Sequence, residues 1–256
     1  MTNKFAVITG ASTGIGAELA KLAKAQGYDL LLVADTPFVD PSIVAPDTQT
    51  LNVDLATIEG VDQLIEAAGG RRIDLLCANA GHGLGGAFLD QSVQDWRHVM
   101  DTNITGTVYL LQQVLQRMVA QGEGKVLVTG SIAGWVPGSF SAVYNGTKAF
   151  IDNFTAALRV ELQEHKGITI TTLEPGPVET EFFHRAGMDD TKVGQDDGKS
   201  DPVDVAKDGW TAMMAGKDTI ISGWKNKLQV AAAGVLPQSI PAQQHRKMAE
   251  PGSGEG

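Results

Sequence analysis

Short apolar runs alternate with longer stretches of mixed polarity through the first half of the chain. Phe5–Gly10 (FAVITG), Asp29–Ala34 (DLLLVA), Ile73–Ala80 (IDLLCANA) and Gly124–Ser131 (GKVLVTGS) are nearly continuous in hydrophobicity rather than alternating. That pattern predicts parallel strands covered on both faces. Helical patterns run from about Gly14 to Gln26, from about Trp96 to Gln121 and from about Ser141 to His165. A further strand is predicted at Gly167–Gly176 (GITITTLEPG). Strands alternating with helices indicate an α/β layered fold.

Several stretches break the pattern. Pro37, Pro41 and Pro46 fall within ten residues, so the segment from Asp35 to Leu51 is expected to be short or irregular rather than a long helix. Val178 to Ser200 is polar and glycine-bearing, and reads as a lid-like loop or a set of short helices. Asp201 followed by Pro202 marks a helix start. The last six residues, PGSGEG, are expected to form a disordered tail. With no internal repeat beyond the strand–helix alternation and no strong linker, one domain over residues 1–250 is expected.

Composition narrows the partners. Twenty basic against thirty acidic residues give a formal net charge of -10, which argues against nonspecific binding to nucleic acid or anionic lipid. Cys77 is the one cysteine, which excludes an intramolecular disulfide and fits a reducing compartment. The first residues carry too short an apolar run for a secretory signal, and no stretch approaches the ~20 apolar residues of a membrane span. A cytoplasmic protein without a transmembrane segment is expected. No clustered pattern of metal-ligating side chains occurs, so no metal is assigned.

The segment TGASTGIG (Thr9 to Gly16) follows the first strand and opens the first helix. Gly10, Gly14 and Gly16 can give a tight turn, close approach to a pyrophosphate and close helix packing, with the helix N-terminus facing the anion. Ser12, Thr13 and Ile15 share that loop. No G-x-x-x-x-G-K-[ST] is present, which makes a P-loop unlike this chain. Asp35, after the second strand, can accept hydrogen bonds from a ribose diol and would repel a 2′-phosphate. Asp54, followed by Leu55, can meet an adenine edge or cap the next helix. Asn79, Ala80 and Gly81 form a small-residue turn at a strand end, where ligands of open α/β sheets collect. Ser131 lies at another strand end, thirteen residues before Tyr144. Lys148 is one helical turn past Tyr144. A nearby ammonium would favour phenolate and lower the tyrosine pKa from ~10, preparing it to exchange a proton with a carbonyl or alcohol oxygen.

Taken in order, Thr9-Gly10-x-x-x-Gly14-x-Gly16, Asn79-Ala80-Gly81, Asn103, Ser131, Tyr144, Lys148, Pro175-Gly176 and Thr180 resemble the short-chain dehydrogenase/reductase family over nearly the whole chain. The resemblance implies a Rossmann-like three-layer sandwich around a seven-stranded parallel sheet. It implies an NAD(P)(H)-dependent oxidoreductase that interconverts a carbonyl compound and its alcohol. Tyr144 would be the general acid/base, and Lys148 would bind the nicotinamide ribose and lower the tyrosine pKa. Ser131 would hold the substrate oxygen, Asn103 would position a relay water, and Pro175, Gly176, Val178 and Thr180 would flank the nicotinamide. Homodimers or homotetramers through the two long helices are also implied.

Thr13 and Asp35 stand where many phosphate-accepting members carry basic residues, which favours NAD(H). NADP(H) stays open through Lys4, Arg71 or Arg72. Trp135 and Phe140 are expected on the substrate wall beside Ser131 and Tyr144, together with the loop after Glu181. Such a wall suggests a medium-sized apolar substrate, although aromatics there are equally ordinary core residues. His82 and His184 read as pocket or surface residues near the cleft. The amphipathic C-terminal part could cover the site, form a subunit contact or touch a membrane surface. Two rival readings are a nucleotide-binding regulatory protein without turnover and an epimerase or dehydratase on the same fold.

Overall fold

The computed structural model describes residues 4–44 and 48–254. The apolar runs become β1 (Phe5–Thr9), β2 (Asp29–Ala34), β4 (Leu75–Ala78), β5 (Gly124–Thr129) and β6 (Ile168–Glu174), with β1 and β4 buried at every position. Two strands escape the hydrophobic pattern: β3 (Thr48–Asn52) and β7 (Thr219–Ile221). Together they make one parallel sheet in the order β3-β2-β1-β4-β5-β6-β7. The three-layer architecture with seven parallel strands is therefore present.

Alternation along each strand feeds a core on each face. Val7, Val33, Leu76 and Val126 pack against α2 (Ile58–Ala68), α4 (Thr107–Gln121) and α5 (Ala142–Glu161). Ile8, Leu32, Cys77 and Leu127 pack against α1 (Gly14–Ala25) and α7 (Pro202–Met214). The long helix predicted from Trp96 starts earlier, as α3 (Val93–Met100), because the Ser92 hydroxyl accepts from Asp95 N–H. A π-helical turn, Asp101–Gly106, then joins α3 to α4.

The proline-rich stretch forms no long helix where it is described, but it delivers the chain into the edge strand β3; Pro46 lies outside the described residues. The segment 178–200 is tied at its base by a Val178–Ser200 bridge and holds the short α6 (Phe182–Arg185). Asp201 caps α7 through Val203 N–H at 2.8 Å. The C-terminal part forms α8 (Trp224–Ala233) and α9 (Ser239–Ala249). Residues 251–254, expected to be disordered, dock on the loop: Gly252 N–H donates to the Asp190 carboxylate at 2.7 Å and Gly254 N–H to the Asp190 carbonyl at 2.8 Å. Residues 255–256 of that tail lie outside the described residues. Among the described residues no helix is long and apolar enough to cross a membrane.

Candidate active site

The ends of β1, β4 and β5 are locked together beneath a cavity of about 910 Å³. Thr9 Oγ1 accepts from the N–H groups of Asn79 and Ala80, both at 3.0 Å. Thr129 Oγ1 donates to Asn79 Oδ1 at 3.0 Å, fixing the amide from the other side. Gly10 and Gly14 adopt positive φ (61° and 58°), where a side chain is strained. At Gly16 a Cβ would lie 2.0 Å from the Gly10 carbonyl oxygen, so the loop can fold back over α1 only without one. Thr13 gives α1 no side-chain cap. The first turn of α1 and these cleared glycines form a cradle that fits a dinucleotide pyrophosphate.

Gly10, Ser12, Thr13, Gly14, Ile15, Asp35, Asp54, Leu55, Asn79, Ala80, Gly81, Pro175, Gly176, Val178 and Thr180 line this cavity, as do Ser131, Tyr144 and Lys148. Gly16 and Asn103 lie behind the wall and shape it.

A chain of titratable side chains runs along the expected adenosine side. Asp35 Oδ2 lies 3.0 Å from His82 Nε2, the His82 and His98 rings are 4.7 Å apart, and His98 Nδ1 lies 3.8 Å from Asp54 Oδ2. The His82 hydrogen bond holds the Asp35 carboxyl below its usual range against the opposing effect of burial, with Arg185 adding a positive charge nearby. Asp54 does not cap α2. Thr57 does, accepting from Gly60 N–H at 2.9 Å, while Asp54 Oδ1 accepts from Ala56 N–H. Arg71 pairs with Asp29, and Arg72 with Asp74 and Glu123, at the amino ends of the strands and away from the cavity. Lys4 precedes β1 at that same end.

Tyr144 and Lys148 project from one face of α5 beneath the Ser131 loop. Lys148 is buried, its Nζ donating to the Thr129 carbonyl at 2.8 Å and lying 5.8 Å from the Tyr144 ring centre. Burial lowers the Lys148 pKa to about 8, with Asp152 pulling it upward. The phenol departs from expectation. Burial pushes Tyr144 up to about 12, the Ser131 hydroxyl beside it pulls down, and Asp152 adds to the rise. The ammonium is turned to a backbone carbonyl, so the cost of a buried phenolate prevails over its help. Ser131 Oγ donates to the Pro175 carbonyl at 3.3 Å and accepts from Ala133 N–H at 3.1 Å. Asn103 is committed to protein groups: Oδ1 accepts from His82 N–H at 2.8 Å, and Nδ2 donates to the His82 carbonyl and Thr147 Oγ1, both at 2.9 Å.

The substrate side differs from the expected wall. Trp135 does not line the cavity, because its indole N–H is drawn to Glu174 Oε2 at 2.8 Å. Phe140, at φ 64°, turns instead into a small cluster with Phe183, Ala186, Met188 and Ala249, under the Arg246 guanidinium. Val136, Phe182, Phe183, Met188 and Val193 form the apolar wall, and the Phe182 ring sits 5.2 Å from that of Tyr144. His82 lines the cavity, whereas His184 faces outward in a pair with Asp189. Trp224, Asn226, His245 and Met248 of α8 and α9 complete the lining. The sequence reading allowed this amphipathic stretch, with Trp224, to cover the site, but it named none of these four as a site residue.

Comparisons with known proteins agree with this geometry. The family model described as short chain dehydrogenase matches residues 4–191. An uncharacterized oxidoreductase of Staphylococcus aureus (strain MW2) is 31% identical over 215 residues, covering 81% of this chain and 89% of the relative. One from Staphylococcus epidermidis (strain ATCC 12228 / FDA PCI 1200) is 32% identical over 183 residues, covering 69% and 79%. Among solved structures, a short-chain dehydrogenase from Sphingobium yanoikuyae in complex with NADPH superposes with a TM-score of 0.78 at 26% identity, covering 91% of this chain and 94% of that one. A short chain dehydrogenase/reductase from Burkholderia phymatum in complex with NAD shares the fold, with a TM-score of 0.75 at 22% identity and coverage of 90% and 92%. With a glycine-cleared floor at the carboxyl ends of the central strands, and serine, tyrosine and lysine gathered at its far end, the chain belongs to the short-chain dehydrogenase family of oxidoreductases.

Proposed function

We propose that this oxidoreductase interconverts a medium-sized apolar carbonyl compound and its secondary alcohol, with Tyr144 as acid/base and NAD(H) as the preferred nicotinamide cofactor. The observation carrying this reading is that Ser131, Tyr144 and Lys148 line the same cavity as the glycine loop. When bound, a reduced nicotinamide supplies a hydride, and with it two electrons, to the carbonyl carbon. Tyr144 gives its phenolic proton to the carbonyl oxygen, and the Ser131 hydroxyl, turned from the Pro175 carbonyl, donates a hydrogen bond to that oxygen as charge develops. Lys148 holds a positive charge under the phenol, which limits the cost of the phenolate left behind. Asn103 ties the His82 backbone to Thr147 and so holds the Gly81 turn beside Lys148. Oxidation of the alcohol is the reverse.

The NAD(H) preference is supported by Asp35, whose carboxylate faces the adenosine side and would repel a 2′-phosphate. Arg185 is the cation nearest in effect to Asp35 and is the residue through which NADP(H) would be admitted. We further assign assembly as a homodimer or homotetramer to the long helices; exposed Phe150 and Val160 on α5 support it. Cytoplasmic residence fits the single buried, unpaired cysteine.

Two measurements test the reading. Tyr144→Phe, folded as judged by circular dichroism, should lose at least about a hundredfold in turnover on a panel of apolar ketones; unchanged turnover would sink it. NADH should bind more tightly than NADPH, and Asp35→Ser should narrow the gap; tighter NADPH binding by the unaltered protein would reverse the cofactor assignment.

A further inference from the structure

Asp152 lies one turn beyond Lys148 and two beyond Tyr144, so three titratable side chains share one face of α5. Both of its carboxylate oxygens are shielded from solvent, and among the described residues neither has a hydrogen-bond partner. The slot they occupy is cleared by glycine. A Cβ at Gly130 would lie 2.1 Å from Oδ1, and one at Gly134 would lie 2.4 Å from Oδ2. Those two glycines bracket Ser131, and the residue before them, Thr129, offers the carbonyl that holds Lys148. The loop that presents the serine therefore rests on this carboxylate.

Buried polar groups are ordinarily hydrogen-bonded, so an unbonded carboxylate in this place calls for an account. The charged and titratable groups around it are Tyr144, Lys148 and Arg159 from α5 and Glu174 from the end of β6. Glu174 is anchored by the Trp135 indole, and Arg159 by Thr172 Oγ1 at 3.0 Å. Lys148 and Asp152 form no direct ion pair; they act on each other across the helix turn. We propose that Asp152 is a positioning residue of the acid/base centre, which keeps the proton on Lys148 and thereby sets the pH range in which Tyr144 exchanges its own. This inference rests on the roles given above to Tyr144 and Lys148.

The directions of titration accord with it. Burial, reinforced by Glu174, pushes the Asp152 carboxyl up to about 7, while Lys148 and Arg159 pull it down. Burial depresses Lys148 to about 8, and Asp152 is the group that opposes the fall. The two groups titrate as a pair, and the carboxylate form of Asp152 stabilises the ammonium form of Lys148. Without the carboxylate the ammonium would be lost at lower pH, and the phenol with it would lose its positive neighbour.

The test uses the cofactor-free protein. Lysine labelled with carbon-13 at Cε reports each ammonium, and Lys148→Met identifies the Lys148 signal. In the unaltered protein that signal should titrate below the usual lysine range. In Asp152→Asn, which keeps the shape and removes the charge, the midpoint should fall by about one pH unit. An unmoved midpoint overturns the proposal, and Asp152→Ser repeats the measurement if the asparagine variant does not fold. The pH profile of kcat/KM gives a second readout. Its inflection should move to lower pH in Asp152→Asn, whereas a merely structural role would scale the profile without moving it. Should Tyr144→Phe turn over normally, the functional reading fails while the lysine titration still decides the coupling. If instead Tyr144→Phe is inactive and the Lys148 midpoint stays put, only this inference falls.

Discussion

Replacing Asn103 by alanine removes three hydrogen bonds from a side chain that is 2% exposed. Each such bond contributes about 1 kcal/mol net, and the His82 N–H left behind finds no ready replacement, so the expected loss is about 3 kcal/mol. For a chain of this length each kcal/mol corresponds to about 2–4 °C in melting temperature, giving a fall of about 6–12 °C. Urea unfolding followed by tryptophan fluorescence should show a lower midpoint with an unchanged slope, the sign of lost stability rather than altered compactness. Asn103→Asp sharpens the test. It can still accept from His82 N–H, but it cannot donate to the His82 carbonyl, against which it would set a carboxylate oxygen. It should cost at least as much as alanine. Thr147→Val deletes one of the three bonds together with the hydroxyl's own bond to the Tyr144 carbonyl, and should cost about 2 kcal/mol. A loss below about 0.5 kcal/mol in both Asn103 variants would refute the view that this amide holds the π-helical turn to the Gly81 loop.

Two other perturbations probe the floor and the cover of the cavity. Gly16→Ala must separate the loop from α1, since its Cβ would meet the Gly10 carbonyl oxygen at 2.0 Å. It should cost more than about 2 kcal/mol, with at least about tenfold weaker dinucleotide binding, whereas Gly27→Ala, at φ 77° with open space around it, should cost only about 1 kcal/mol; equal stabilities in thermal melts would contradict this. Deleting residues 251–256 removes both backbone bonds to Asp190 and the bond from Lys192 N–H to Ser253 Oγ. Limited proteolysis should then cut the 186–198 loop about tenfold faster, and an unchanged cutting rate would show that the docked segment does not brace it.

The sequence made the buried half of the sheet legible because its strands are apolar on both faces. β3 carries Thr48, Gln49 and Asn52 at an exposed edge, and β7 has only three residues, so neither offers a hydrophobic run. The break between α3 and α4 was equally silent, since Asp101 to Gly106 keep a helical pattern while the backbone widens. Motif spacing brought the glycine loop, Asn79, Ser131, Tyr144 and Lys148 to one cavity. It could not give the direction of the tyrosine shift, which depends on burial and on Asp152, a residue unremarkable by spacing alone. Aromatic character also misplaced Trp135 and Phe140, because a single hydrogen bond to Glu174 and one left-handed residue decide where those rings point.

The two halves of the cavity come from separate stretches of chain. Residues 10–81 and 129–180 supply the glycine-cleared floor and the groups proposed for proton transfer, and the facing wall comes largely from residues 182–248. Ser139 Oγ donates to the Ala242 carbonyl at 2.9 Å and His245 Nδ1 meets the Ser139 carbonyl at 2.8 Å, so α9 is fastened to the loop beside Tyr144 rather than to the strand ends. Substitutions confined to the lining positions of α6, α8 and α9 would therefore reshape that wall, while α7 and β7 between them stay fixed by the core and the sheet.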